Sequence, residues 1–179
     1  RRRLSPTLRR TARRVVPRPA VMRRAAFLAS GAALFGAAAC ARAGIASAPV
    51  YAVTHTDAQW RALLGPDRYF ILRENGTEPA FSSPLNGEHR AGTYACYACD
   101  LALFSSKVKY DSGDGWPSFW TVLPNAVLKR SDDSVPGMPR TEVHCRQCGS
   151  HLGHIFDDGP PPTHLRYCID GLALRFKPA

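Results

Sequence analysis

The chain has 179 residues and a formal net charge of +10, which leaves room for one ordinary domain plus an appendage. Such a charge would point to nucleic acid or an anionic membrane. However, residues 1–43 hold 11 of the 24 Lys and Arg and none of the 14 Asp and Glu, leaving 13 basic against 14 acidic side chains from residue 44 onward. The near-neutral remainder lacks the clustered cations of a nucleic-acid footprint, so no nucleic-acid partner is expected.

Residues 1–43 read as upstream sequence and an export signal. An arginine-rich stretch ends at Arg23-Arg24, an uncharged Ala25–Ala41 run follows, and Ala41-Arg42-Ala43 offers a cleavage point before Gly44. Met22, just before the arginine pair, is the expected start. The pattern predicts bacterial export to the periplasm, through a twin-arginine-like or a general secretory signal. An organellar transit peptide is the alternative for an Arg-rich, acid-free segment, and Cys40 would tie the protein to a membrane only if it were lipidated.

Residues 44–54 read as a linker and residues 55–179 as the folded domain, expected to be a monomer. Asp57 is placed to cap a short helix over Ala58–Leu64, which Gly65-Pro66 ends. A second helical turn is expected over Tyr69–Asn75, then a loop over Ser82–Arg90. Beyond Gly92 the runs rich in β-formers are Gly92–Ala98, Leu101–Phe104, Trp120–Leu128, Arg140–Cys145 and Arg166–Phe176, separated by Asp-, Ser-, Gly- and Pro-rich turns. Short strands with irregular connections predict a mainly β domain that would profit from a staple.

Cys96-Tyr97-Ala98-Cys99 and Cys145-Arg146-Gln147-Cys148 are two C-x-x-C knuckles separated by 45 residues. A tight turn aims both sulfurs of such a knuckle inward, and four thiolates complete a tetrahedral Zn²⁺ site with no open position, hence one structural ion. Gly149 after the second knuckle suits that turn, and Asp100 stands at the same place after the first. Two disulfides in an oxidising compartment, or a redox couple without the usual βαβ context, are the competing readings. Cys168 is left over. It is either a small buried hydrophobe or a reactive thiol, and Arg166 and the nearby histidines would favour its thiolate.

Four segments then occur in order: Gly113-Asp114-Gly115-Trp116-Pro117-Ser118-Phe119, Arg140-Thr141-Glu142-Val143, Cys148 through Pro160, and Arg166-Tyr167-Cys168-Ile169. With the two knuckles, over about residues 55–177, they closely resemble the B-type methionine-R-sulfoxide reductases. The resemblance implies two antiparallel sheets with a few short helices and a distal zinc. It implies Cys168 as the nucleophile that becomes a sulfenic acid, His154 as the general acid, and His151 as a second active-site histidine that orients oxygen or water. Trp116 would receive the substrate S-methyl group, with Phe119, Asp170 and Arg166 around it. Implied partners are oxidised proteins or peptides carrying methionine-R-sulfoxide and a thioredoxin-like or other thiol reductant.

Two departures stand out. Asp170 occupies a position where the family commonly has Asn. If ionised it would raise the Cys168 pKa, whereas pairing with His151 or His154 would hold an imidazolium ready. Asp114 stands where many members carry a resolving cysteine, which predicts recycling by an external thiol. The rival readings are a zinc-ribbon binding module and a peptide binder that has lost its chemistry through Asp170.

Overall fold

The computed structural model describes residues 49–179. The proposed signal, with Met22, Arg23-Arg24 and Cys40, and residues 44–48 of the linker lie outside the described residues.

Among the described residues one α-helix and nine strands follow in chain order: α1 (Asp57–Glu74), β1 (Gly92–Cys96), β2 (Ala102–Ser105), β3 (Lys109–Tyr110), β4 (Ser118–Phe119), β5 (Val127–Asp132), β6 (Arg140–Cys145), β7 (His151–Phe156), β8 (Arg166–Ile169) and β9 (Leu174–Pro178). All strand pairs are antiparallel, in a three-stranded sheet ordered β2-β1-β9 and a six-stranded sheet ordered β3-β4-β8-β7-β6-β5. The mainly β, two-sheet expectation holds. Among the described residues no helix is long and apolar enough to cross a membrane.

The helix cap is Thr56 rather than Asp57. Thr56 Oγ1 accepts from the Gln59 N–H at 3.3 Å, and Gln59 Oε1 accepts from the Thr56 N–H at 2.9 Å, a capping box that satisfies two orphan donors. Asp57 instead accepts from Arg61 Nε at 2.8 Å within the first turn. Gly65, at φ 69°, breaks the helix where the Gly-Pro pair predicts a break, but Pro66 starts the next helical turn at once. Asn75 closes it in the left-handed conformation at φ 57°.

Three strand expectations need correction. Trp120–Leu128 is mostly not strand, because Pro124 has no N–H to give a ladder and Asn125 takes φ 57°; β5 begins only at Val127. Arg166–Phe176 is two strands in different sheets, divided by a 3₁₀ turn over Gly171–Ala173. His151–Phe156, which is not among the runs expected to form strands, is a central strand.

The core lies between the sheets and under α1. Phe104 and Phe119 stack at 4.2 Å between centroids, Tyr94 meets Phe119 edge-on at 5.0 Å, and Tyr167 closes the cluster. Trp60, Leu64, Ile71 and Leu72 of α1 join it, and α1 packs on β7 and the turn before β9. Burying each Leu or Ile contributes roughly 1.5–3 kcal/mol, which accounts for the docking of a helix whose sequence is only weakly amphipathic.

Candidate active site

The six-stranded sheet carries the site as one row of side chains. Cross-strand partners run Tyr110, Ser118, Cys168, His154, Glu142 and Arg130 through β3, β4, β8, β7, β6 and β5. Directly opposed residues of an antiparallel pair point to the same face, so the pleat alone sets His154 beside Cys168. The alternate face sends Phe119 and Tyr167, also partners, into the core. Phe119, expected at the substrate, is fully buried against Phe104.

Gly153, between the two histidines, is a steric requirement. A Cβ there would lie 2.1 Å from the Cys168 carbonyl oxygen, and its φ is 146°. Only glycine lets β7 approach the nucleophile strand so closely.

Thr77, Trp116, Arg140, Gly153, His154, Phe156, Cys168 and Asp170 line a small cleft of about 130 Å³. Trp116 is half-buried, and its Nε1–H donates to the Glu78 carbonyl at 3.1 Å, which fixes the plane of the ring. Cys168 is half-buried too. Burial pushes its thiol up to about 11; Arg166 opposes the shift, while Asp114 and Asp170 add to it. Arg166 has limited effect because its guanidinium is already shared, with Asp158 Oδ2 at 2.7 Å and with Asp114.

His151 stands behind the cleft rather than in it. It is buried, with Nδ1 2.8 Å from Glu142 Oε1 and Nε2 3.7 Å from Asp170 Oδ2. Of the two histidines, Asp170 therefore has His151 as its neighbour. Its Oδ1 accepts the Glu78 N–H at 2.9 Å, and burial raises its carboxyl to about 6 in spite of that bond and of His151. Glu142 differs. Burial would raise it, but hydrogen bonds from His151 and Arg130 outweigh that and hold it at about 2.

Residue-by-residue reading missed several contributors. Glu78 is buried and accepts from the Leu172 N–H at 2.9 Å and the Gly171 N–H, tying the segment under Trp116 to the turn after Cys168. Glu142 lies in the quoted Arg140-Thr141-Glu142 motif, so a signal existed for it and for Arg140. Phe156 likewise lies in the quoted Cys148–Pro160 segment, whereas Thr77 and Asp132 carried no signal, since their relation to the cleft exists only once the strands pair. Of the remaining histidines, His55, His89 and His164 are exposed and His144 is buried.

The four knuckle cysteines meet in a cluster of their own, and none of them lines the cleft. Their Sγ atoms all lie within 4.8 Å of one another, with Cys96–Cys148 at 3.8 Å and Cys99–Cys145 at 3.5 Å. A tetrahedral ion bound by four sulfurs at 2.3 Å requires edges of roughly 3.8 Å, so a set with these spacings is of the right size and donor type for such an ion. Both knuckles end in the left-handed conformation, Asp100 at φ 67° and Gly149 at φ 71°, with N–H bonds back to Cys96 O at 2.8 Å and Cys145 O at 2.9 Å. A larger groove of about 680 Å³ beside α1 is lined by neither a thiol nor an imidazole.

Residues 64–178 match the family model described as the SelR domain. The chain is 53% identical over 120 residues to the peptide methionine sulfoxide reductase MsrB of Pseudomonas putida, covering 67% of this chain and 90% of that protein. It is 54% identical over 123 residues to the MsrB of Thiobacillus denitrificans, covering 69% and 93%. With the MsrB of Leptospira interrogans it shares 50% over 127 residues, covering 71% and 97%.

Proposed function

The chain belongs to the SelR-domain family of MsrB peptide methionine sulfoxide reductases, and from that premise we propose how its residues divide the work. It is a peptide-methionine (R)-S-oxide reductase acting on oxidised protein. The observation that carries the residue assignment is the convergence of Cys168, His154 and Trp116 on one cleft.

Trp116, its ring edge tied to Glu78, presents an apolar face to the substrate S-methyl group. The Cys168 sulfur attacks the sulfoxide sulfur while His154 protonates the oxygen, which is otherwise a poor leaving group. Cys168 rests as a thiol, so its proton is released as attack proceeds and restores His154. The net change is thiol plus sulfoxide to sulfenic acid plus thioether: Cys168 loses two electrons and the methionine sulfur gains two. Two external thiols then convert the sulfenic acid back to thiol and water and leave as a disulfide. That recycling route is supported by Asp114 at the usual resolving position and by the other four described cysteines being gathered in the knuckle cluster.

The cluster is proposed as a structural Zn²⁺ site. Cys96, Cys99, Cys145 and Cys148 would hold the ion, which would supply folding energy and no chemistry. Export to the periplasm is proposed from the leader's composition, with N-terminal sequencing of the mature protein as its check. Glu142, by fixing His151 beside Asp170, keeps the second histidine in a supporting role.

The test is reduction of a dabsyl-methionine-R-sulfoxide with dithiothreitol. Wild type is expected to turn over and Cys168→Ser to be inactive at unchanged metal content. Equal activity in both, or none in either, overturns the assignment.

A further inference from the structure

His154 is held by a residue from outside the nucleophile's own strand pair. Its Nε2 lies 2.7 Å from Oδ2 of Asp132, the last residue of β5. The same oxygen accepts from Arg140 Nη2 at 2.7 Å, and Oδ1 accepts from the Ser134 N–H at 3.0 Å. Asp132 and Arg140 are cross-strand partners at the loop end of the β5–β6 hairpin, one pleat repeat beyond the Arg130–Glu142 pair. Both side chains of the imidazole–carboxylate pair are largely shielded, His154 at 11% exposure and Asp132 at 14%.

We infer that Asp132 is the positioning residue for His154: it fixes the imidazole with its proton on Nε2, leaves Nδ1 to serve the sulfoxide oxygen, and stabilises the imidazolium from which that oxygen is protonated. The inference rests on the proposed role of His154. A carboxylate that already accepts from three donors is not free to take the transferring proton, so it acts through the ring and not on the substrate. Arg140 both anchors Asp132 and keeps it ionised.

The groups facing His154 oppose one another. Asp132 from β5 and Glu142 from β6 favour its charged form, as does Asp170 at the exit of β8 when ionised. Arg140 from β6 and His151 from β7 disfavour it, and Cys168 from β8 rests uncharged. Burial is the largest influence and lowers the His154 pKa, with the Asp132 bond the main counterweight. The Asp132 carboxyl is itself held far below the carboxylate range by Ser134, His154 and Arg140, so the counterweight persists at every working pH.

Asp132→Asn keeps an acceptor for Nε2–H but removes the charge. His154 should then lose its proton at lower pH, and the basic limb of kcat/KM should move toward acid. With dabsyl-methionine-R-sulfoxide and dithiothreitol, we expect a loss of about 10-fold or more at pH 8, shrinking to less than about 3-fold at pH 6, carried by kcat and not KM. Asp132→Glu should restore part of the limb.

An unchanged profile, or a loss equal at every pH, overturns the inference while leaving the His154 assignment standing. An active Cys168→Ser instead overturns the reading beneath it. Should Asp132→Asn not fold, long-range ¹H–¹⁵N spectra of the wild type decide. Neutral His154 is expected to carry its proton on Nε2, and an Nδ1–H tautomer overturns the inference.

Discussion

Four of the five described cysteines face one another at the knuckle corner, while the fifth faces a cleft. The element is the same, and Cys168 is half-buried just as Cys99 of the corner is, but the neighbours differ. At the corner each sulfur has three others within 4.8 Å and two left-handed turns locking the backbone behind it. At the cleft, Cys168 has an imidazole across the strand, an arginine already shared by two aspartates, and a carboxyl below. Thiol chemistry here is set by what stands opposite the sulfur: more sulfur makes a joint, whereas a proton donor and an apolar wall make a reaction site.

The sharpest way to break that contrast is to damage the corner. Cys145→Ser should lose the proposed metal and cooperative folding together, since a structural zinc site of this kind contributes on the order of 10 kcal/mol, read by metal content and by circular-dichroism melting. A variant that melts like wild type would make the corner incidental. Cys168→Ser should do the opposite, lowering turnover by at least ~10³-fold with the melt and metal content unchanged. His154→Asn should cost roughly 10²-fold in kcat in the dithiothreitol assay, with iodoacetamide still reaching Cys168.

Smaller effects concern Asp170. Its folded pKa of about 6 lies above the unfolded value, so its contribution to stability is full in acid and is lost as pH rises through about 6. Asp170→Asn should therefore be the more stable protein at pH 8, by at most about 3 kcal/mol in urea, with the difference fading toward pH 4. The same change removes a negative charge near Cys168. The alkylation midpoint, expected near 11 in the wild type, should fall, by less than a pH unit. An unmoved midpoint would show that burial alone holds the thiol up.

What the sequence made legible follows from where each signal resides. The knuckles, Cys168, the histidine pair and the Gly-Trp-Pro segment are contiguous motifs, and each was visible as a string. β6 was readable because Arg140–Cys145 is a short run with β-formers bounded by turn residues. β7 was not, because it contains a glycine required by the Cys168 carbonyl and histidines required by the cleft, residues that satisfy tertiary neighbours rather than local preference. Asp132 and Glu78 were silent for the same reason. A single aspartate at the end of a strand, or a glutamate before a proline, acquires meaning only from partners 22 and 93 positions away.

The row of side chains across the six-stranded sheet also bears on how this protein tolerates change over time. Core and cleft are the odd and even phases of the same strands, so slipping β7 by one residue against β8 would set Ile155 beside Cys168 and drive His154 toward the aromatic core. A one-residue insertion there would ruin packing and chemistry at once, and selection for foldedness therefore guards the reactive geometry without selection on activity. Length changes at the hairpin ends and turns, by contrast, would alter what reaches the cleft while the opposing pair of His154 and Cys168 stays in register.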